Sequence, residues 1–295
     1  MLTLAPDHPD YPRALKQISK PGAITVSRLL PLGSAVAIVG TRKPSEGARA
    51  FAYELGRAVA NAGGIVVSGG ALGIDAAAHE GALASSGRTV AVVATGKNHV
   101  FPPQHSDLYD RIAASEGAMV WPFADDAQAR TAHFLRRNGL LVALSSAVVV
   151  VQAGLGSGAL NAAAWARKLG RRIWVVPQAP WTARGFEGSL GELERGARPL
   201  VSVPRFLKAE ELSPKTSLSF GFHELASPIS DEDSSPPPGT HGALLKVLDR
   251  EPRHRDELAE AAGLTAIQVT TALLTLTLEN VVEEGPLGFF SRVGK

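Results

Sequence analysis

Short apolar runs rich in β-branched residues recur as far as residue 203, with amphipathic stretches between them. The runs are Ala35–Val39, Ile65–Ser68, Thr89–Val93, Met119–Pro122, Ala147–Val151, Ile173–Val176 and Leu200–Val203. Helical spacing covers Ser45–Ala62, Ile74–Ser86, Ser106–Ser115, Ala129–Leu144 and Ala159–Leu169. A strand that is apolar without alternation is covered on both faces, and strands that alternate with helices form parallel sheets. The pattern predicts an α/β fold, an extended Rossmann-like, doubly wound, mostly parallel sheet.

The pattern changes after residue 209. Glu210–Thr240 holds five prolines, seven serines and the acidic cluster Asp231-Glu232-Asp233, a composition that buries no core and predicts a linker. Beyond it, helical spacing at Gly242–Asp249, Asp256–Ala262 and Ala266–Glu279 is followed by a hairpin at Val281–Val293. Three helices and a wing predict a small C-terminal winged-helix domain, with Thr265 as an N-cap. The expected organisation is a short N-terminal segment (1–30), a Rossmann-like domain (31–209), a linker (210–240) and a winged-helix-like domain (241–295).

The 295 residues are 45% hydrophobic and 20% charged, enough for a sizeable core. There is no cysteine, which excludes disulfides, thiol nucleophiles and cysteine-based zinc sites. Met1–Lys20 has no apolar signal-like core, and Gly139–Val151 is too short and too interrupted to span a bilayer. A cytoplasmic protein without membrane attachment is expected. The net charge of +2 conceals an asymmetry. Residues 1–209 carry 23 Lys and Arg against 14 Asp and Glu, a net +9; the linker is −5 and the last segment −2. The large domain is the basic one, which suggests an anionic partner.

In doubly wound folds ligands bind beyond the carboxyl ends of the strands. The first strand ends in Gly40-Thr41-Arg42-Lys43-Pro44-Ser45: a tight turn, an N-cap and a cation suited to a phosphate. The second ends in Ser68-Gly69-Gly70-Ala71-Leu72-Gly73-Ile74-Asp75, with His79 four residues beyond Asp75. That pair is better read as structural than as a metal or acid–base site, because two ligands do not build a metal centre. The third ends in Thr95-Gly96-Lys97-Asn98-His99-Val100-Phe101, where Lys97 suits a phosphate and Phe101 offers a stacking face. Arg136 and Arg137 follow on a helix, either facing solvent or tracking a phosphate backbone. Gln152-Ala153-Gly154-Leu155-Gly156-Ser157-Gly158 opens another helix. Together the loops point to an extended anionic polymer or a phosphorylated small ligand. No G-x-G-x-x-G is present and no acid ends the second strand, so no dinucleotide cofactor is expected, and no metal.

At these residues the chain resembles the DNA-processing protein A family (DprA, also called Smf). Ala37-Ile38-Val39-Gly40-Thr41-Arg42 is similar to its V-A-I-V-G-[ST]-R opening. Ser68–His79 resembles its S-G-x-A-x-G-I-D-x-x-A-H signature, and Phe134-Leu135-Arg136-Arg137-Asn138 its F-P-x-R-N-R. Val149–Ala153 with Ser157–Ala163 resembles V-V-E-A…S-G-[SA]-L-x-T-A, with Gln152 where the family usually has Glu. The resemblance implies a homodimeric, non-catalytic protein that binds single-stranded DNA and loads a RecA-type recombinase during natural transformation and DNA recombination. It carries the arginine of G-[ST]-R onto Arg42, the third-strand lysine onto Lys97, and the glycine-loop positions onto Ser68, Gly69, Ser157 and Gly158. It also makes apolar residues near Phe186–Leu207 candidates for the dimer face.

The expected interface is therefore Gly40, Thr41, Arg42, Ser68, Gly69, Lys97, Asn98, Phe101, Arg136, Arg137, Ser157 and Gly158. Phosphates would sit on the amides of the Gly40 and Ser157 loops, clamped by Arg42 and Lys97, with a base on Phe101. The competing class is a Rossmann-like phosphoribohydrolase-type enzyme, which needs a carboxylate in its catalytic loop; none lies between Gln152 and Leu160. The winged helix has no Lys or Arg across Thr265–Thr271, which favours contact with protein, or a weak auxiliary role, over a strong duplex footprint.

Overall fold

A computed structural model of the chain describes residues 1–178, 185–212, 240–249, 253–278, 281–284 and 289–292. They fall into two compact units, 1–219 and 220–295.

The first unit runs β1 (Leu2–Leu4), β2 (Ile24–Val26), β3 (Ala35–Val39), α1 (Glu46–Asn61), β4 (Ile65–Ser68), α2 (Ile74–Ala84), β5 (Arg88–Val92), α3 (Ser106–Ala114), β6 (Ala118–Trp121), α4 (Thr131–Ala143), β7 (Ala147–Val150), α5 (Gly158–Lys168), β8 (Arg172–Val175), α6 (Glu187–Glu194), β9 (Arg198–Pro199) and α7 (Val203–Ala209). The strands form one nine-stranded sheet in the order β1-β2-β6-β5-β4-β3-β7-β8-β9. From β6 to β9 every pairing is parallel; β2 joins β6 antiparallel, and β1 joins β2 likewise. The expected mostly parallel, doubly wound sheet is what forms. Each residue of β3, β4 and β7 is buried, which is why those runs are apolar throughout. The chain winds outward from β3 through β4, β5 and β6, then returns to place β7 on its other side. The topological switch point lies between β3 and β7, and there the crevice opens.

Three readings change. Residues 1–30 are not a separate segment: β1 and β2 extend the sheet, and the Tyr11 hydroxyl donates to Gly22 O at 2.9 Å. Strands of three residues are too short to show a period. The run read as a last strand, Leu200–Val203, is displaced to Arg198–Pro199, because Ser202 and Pro204 start α7 instead. The expected linker begins too early. Glu210 is buried, and its Oε1 accepts from Trp174 Nε1 at 2.7 Å and from Arg172 Nε at 2.9 Å. Leu212 is also buried, and the rest of the expected linker, 213–239, lies outside the described residues. Of the apolar candidates for a dimer face, Phe186, Val203, Phe206 and Leu207 are packed inside this unit, and Val201 is 66% exposed.

Behind the sheet, His79 is fully buried. Thr89 Oγ1 donates to Val66 O, so it accepts from His79 Nδ1 at 2.6 Å, and Nε2 has no hydrogen-bond partner among the described residues. Protonation would strand a charge there, and burial, with His105 and Arg137 nearby, lowers the imidazole pKa to about 3. The unfolded side chain titrates near its ordinary value of 6.5, so the unfolded state binds the extra proton first and stability falls as pH falls below that value. Between about pH 7.5 and about pH 5.5, His79 alone should remove about 1.4 kcal/mol. Urea unfolding at the two pH values measures it, and a loss that persists in His79→Asn would assign the effect to another group.

The second unit runs α8 (Thr240–Val247), β10 (Arg253–His254), α9 (Arg255–Ala262), α10 (Ala266–Leu278), β11 (Val282–Glu284) and β12 (Phe289–Arg292). Its strands pair antiparallel in the order β10-β12-β11, a winged-helix arrangement. Thr265 caps α10 reciprocally: Gln268 N donates to its Oγ1 at 3.3 Å, and Thr265 N donates to Gln268 Oε1 at 3.0 Å. Leu244, Leu258, Val269, Leu273 and Val282 fill the core.

Candidate nucleic-acid interface

Two loops flank the switch point and are tied together. At Gly40 a Cβ would sit 2.5 Å from Ile74 Cγ1 and 3.0 Å from Gln152 O, so only glycine permits this crossing. Thr41 N donates to Gln152 O at 2.7 Å, and Ser45 N donates to Gln152 Oε1 at 2.9 Å. Gln152 thus stitches the loop after β7 to the start of α1 with its backbone and its side chain. Ser45 and Ser157 cap α1 and α5, accepting from Ala48 N and Ala159 N. At Gly156 and Gly158 a Cβ would meet nothing within 4 Å, so these glycines leave open space.

Between the loops lies a cavity of about 570 Å³. Gly40, Thr41, Arg42 and Lys43 line one side, Gly154–Gly158 the other, and Asp75, Phe134, Arg137 and Asn138 complete it. Asn138 Nδ2 donates to Gly158 O and to Asn161 Oδ1, both at 3.1 Å, which holds the start of α5 against α4.

Of the two readings open for Arg137, the solvent-facing one does not hold. It is only 4% exposed. On α4 it shares the core face with Leu140 and Leu141, three and four positions on. Neighbouring Arg136 is exposed, lies by Gly22, and does not line the cavity. The Arg137 guanidinium covers Gly69, where a Cβ would fall 1.4 Å from Nη1. Its Nη1 is 3.9 Å from Asp75 Oδ2, and that oxygen accepts from Gly69 N at 3.2 Å and Ala71 N at 3.4 Å. Burial raises the Asp75 pKa, opposed by Arg137 and these amides, and lowers that of Arg137, opposed by Asp75. Among the described residues no group accepts a hydrogen bond from Arg137, and its Nε is buried without a partner.

The aromatic wall is Phe134 rather than Phe101. The Arg42 guanidinium lies 4.8 Å from the Phe134 centroid, and that of Arg137 lies 5.9 Å from it. Phe101 is 40% exposed and meets Phe134 edge-on at 5.7 Å, in a side recess. Sequence reasoning missed Phe134, Lys43 and Asn138. Phe134-Leu135-Arg136-Arg137-Asn138 was singled out for its arginines, and Lys43 adjoins Arg42; helix phase and loop direction separate lining residues from their neighbours.

Lys97 and Asn98 do not join the cavity. Lys97 Nζ is 2.7 Å from Asp125 Oδ2, and Asn98 Nδ2 donates to Asp126 Oδ1 at 2.6 Å. The two loops are also zipped by Gly96 N to Ala127 O and Asn98 N to Asp125 O. The expected Arg42–Lys97 clamp is therefore not formed: a carboxylate already holds Lys97. Ser68 is buried and its hydroxyl donates to Ile38 O at 2.6 Å, so it supports the sheet rather than the crevice.

The family model of DNA recombination-mediator protein A matches residues 2–211. The chain belongs to the DprA/Smf family. A model of the DprA winged helix domain matches residues 228–286. The chain is 30% identical to Protein Smf of Synechocystis, over 96% of this chain and 78% of that one. It is 37% identical to the putative DNA processing protein DprA of Mycobacterium tuberculosis, over 84% of this chain and 62% of that one. Two DprA structures share the sheet. That of Helicobacter pylori, described for its single-stranded DNA binding mode, superposes with a TM-score of 0.62 at 28% identity, covering 70% of this chain and 94% of that one. That of Streptococcus pneumoniae gives 0.64 at 26%, covering 70% and 73%.

Proposed function

We propose that the crevice between β3 and β7 binds single-stranded DNA without sequence preference. The observation that carries this reading is the convergence of Arg42, Lys43 and Arg137 on one cavity that the aromatic side chain of Phe134 also lines. Cations hold phosphates and an aromatic face takes an unstacked base, a combination that suits a flexible strand better than a duplex. The amides of Arg42 and Gly158 add donors, whereas those of Thr41, Lys43 and Ser157 already donate to Gln152 O, Thr41 Oγ1 and Gly154 O. The membership of the family and the DNA binding of the Helicobacter pylori relative support the same partner.

By the same membership we propose that the protein acts in the cytoplasm as a homodimer that hands its strand to a RecA-type recombinase during transformation. Among the described residues no helix is long and apolar enough to cross a membrane. A binding role also fits better than the phosphoribohydrolase-type reading. The one carboxylate that lines the crevice among the described residues, Asp75, is held by two amides and faced by Arg137, which leaves it a poor partner for a sugar cation.

The test is fluorescence anisotropy of a labelled oligo-dT strand at several salt concentrations, with unlabelled duplex as competitor. Binding should weaken by about 0.7 log units in K per log unit of salt for each phosphate engaged, and duplex should compete poorly. Equal competition by duplex would overturn the reading.

A further inference from the structure

We propose that the crevice recognises a phosphomonoester, the phosphorylated end of a strand, in preference to internal phosphodiesters. The proposal deepens the single-stranded DNA reading and rests on it.

Depth is the first argument. Arg137 lines the cavity while only 4% exposed, and its guanidinium makes no hydrogen bond to any described residue. A buried guanidinium with free donors is costly unless a ligand supplies acceptors, and a planar fork of donors fits two phosphate oxygens at once. An internal phosphate carries chain on both sides and spends both of its free oxygens on one guanidinium, at a site that Ala71 and Asp75 also line. A terminal phosphate has chain on one side only and presents three oxygens.

Charge is the second. Arg42, Lys43 and Arg137 against Asp75 leave the lining at +2. A phosphodiester carries a single negative charge, whereas a phosphomonoester carries about −1.5 to −2 near neutral pH. The lining matches the monoester. Space is the third: Gly156 and Gly158 have nothing within 4 Å of a Cβ, while Phe134 offers a face to the nucleoside next to the phosphate.

The same chemistry is carried by a free nucleotide, so the experiment separates the two. Internally labelled oligo-dT strands of one length are prepared with a 5′-phosphate, with a 3′-phosphate, or with hydroxyls at both ends. Each is titrated against the full chain, then displaced with thymidine monophosphate and, separately, with thymidine. One phosphorylated end should bind at least about fivefold tighter than the hydroxyl strand, and the monophosphate should displace it where thymidine does not. Arg137→Lys, with its fold checked by circular dichroism, should level the strands. Displacement by the monophosphate with no preference between strand ends overturns the strand-end proposal and makes a free nucleotide the ligand of the site. Equal binding of the three strands, with thymidine and its monophosphate competing alike, overturns the proposal and leaves the single-stranded DNA reading standing. Failure of every strand to bind would overturn that reading itself.

Discussion

Replacing Arg42 and Lys43 together by alanine should weaken oligo-dT binding about 100-fold, as expected for two charge-assisted contacts of about 1.5 kcal/mol each. The salt dependence should also flatten, by about 0.7 in slope for each cation lost. Both side chains are exposed and line the cavity, so the fold should survive; the Arg42 stack on Phe134 is worth about 0.5–1 kcal/mol at such a site. Lys97→Ala is the informative companion. Its ammonium is already held by Asp125 at 2.7 Å, so its removal should change binding less than about threefold. A Lys97→Ala defect as large as that of the double variant would move the DNA path onto the loop after β5.

Gly81→Ala should be among the most damaging small changes in the first unit. A Cβ there would lie 1.9 Å from Tyr53 O, and on the facing helix a Cβ at Gly56 would lie 2.3 Å from Ala78 O. Helices α1 and α2 cross backbone to backbone at these two glycines, and backbone cannot step aside as a side chain can. Overpacking of this kind costs about 3 kcal/mol, or about 10 °C in Tm for a unit of this size. The effect should reach DNA binding, since α1 begins beyond the Gly40 loop and α2 beyond the Gly69 loop. Gly47→Ala is the control: a Cβ there meets nothing within 4 Å, so stability should not fall and should rise by up to about 1 kcal/mol from helix propensity. Thermal unfolding followed by circular dichroism distinguishes the two. A Gly81→Ala protein as stable as the parent would show that the crossing relaxes freely.

Much of the first unit was legible because local rules and burial agree in it. Runs such as Ala147–Val151 have no polar position, so only a strand covered on both faces fits them, and Ser45 marks a helix start by its chemistry alone. The N-terminal strands escaped because three residues carry no periodicity. Glu210 was misassigned because composition does not reveal that Arg172 and Trp174, far back in the chain, wait to bond its carboxylate. In the crevice, loop position was readable and charge state was not. Lys97 looked free until Asp125, 28 positions later, folded against it, and whether Arg137 faced solvent or a phosphate backbone stayed open until helix phase turned it inward.

The order of residues alone determined the parallel centre of the sheet, the turns at its carboxyl edge, and the glycine-rich, cation-bearing character of the loops there. Those features depend on neighbours a few positions away. Only the tertiary structure decided which cations remain available: Arg42, Lys43 and the buried Arg137, and not Lys97. A charge is available or spent according to the distance of its counter-charge and the water left around it, and both are set by the packing of segments remote in the chain.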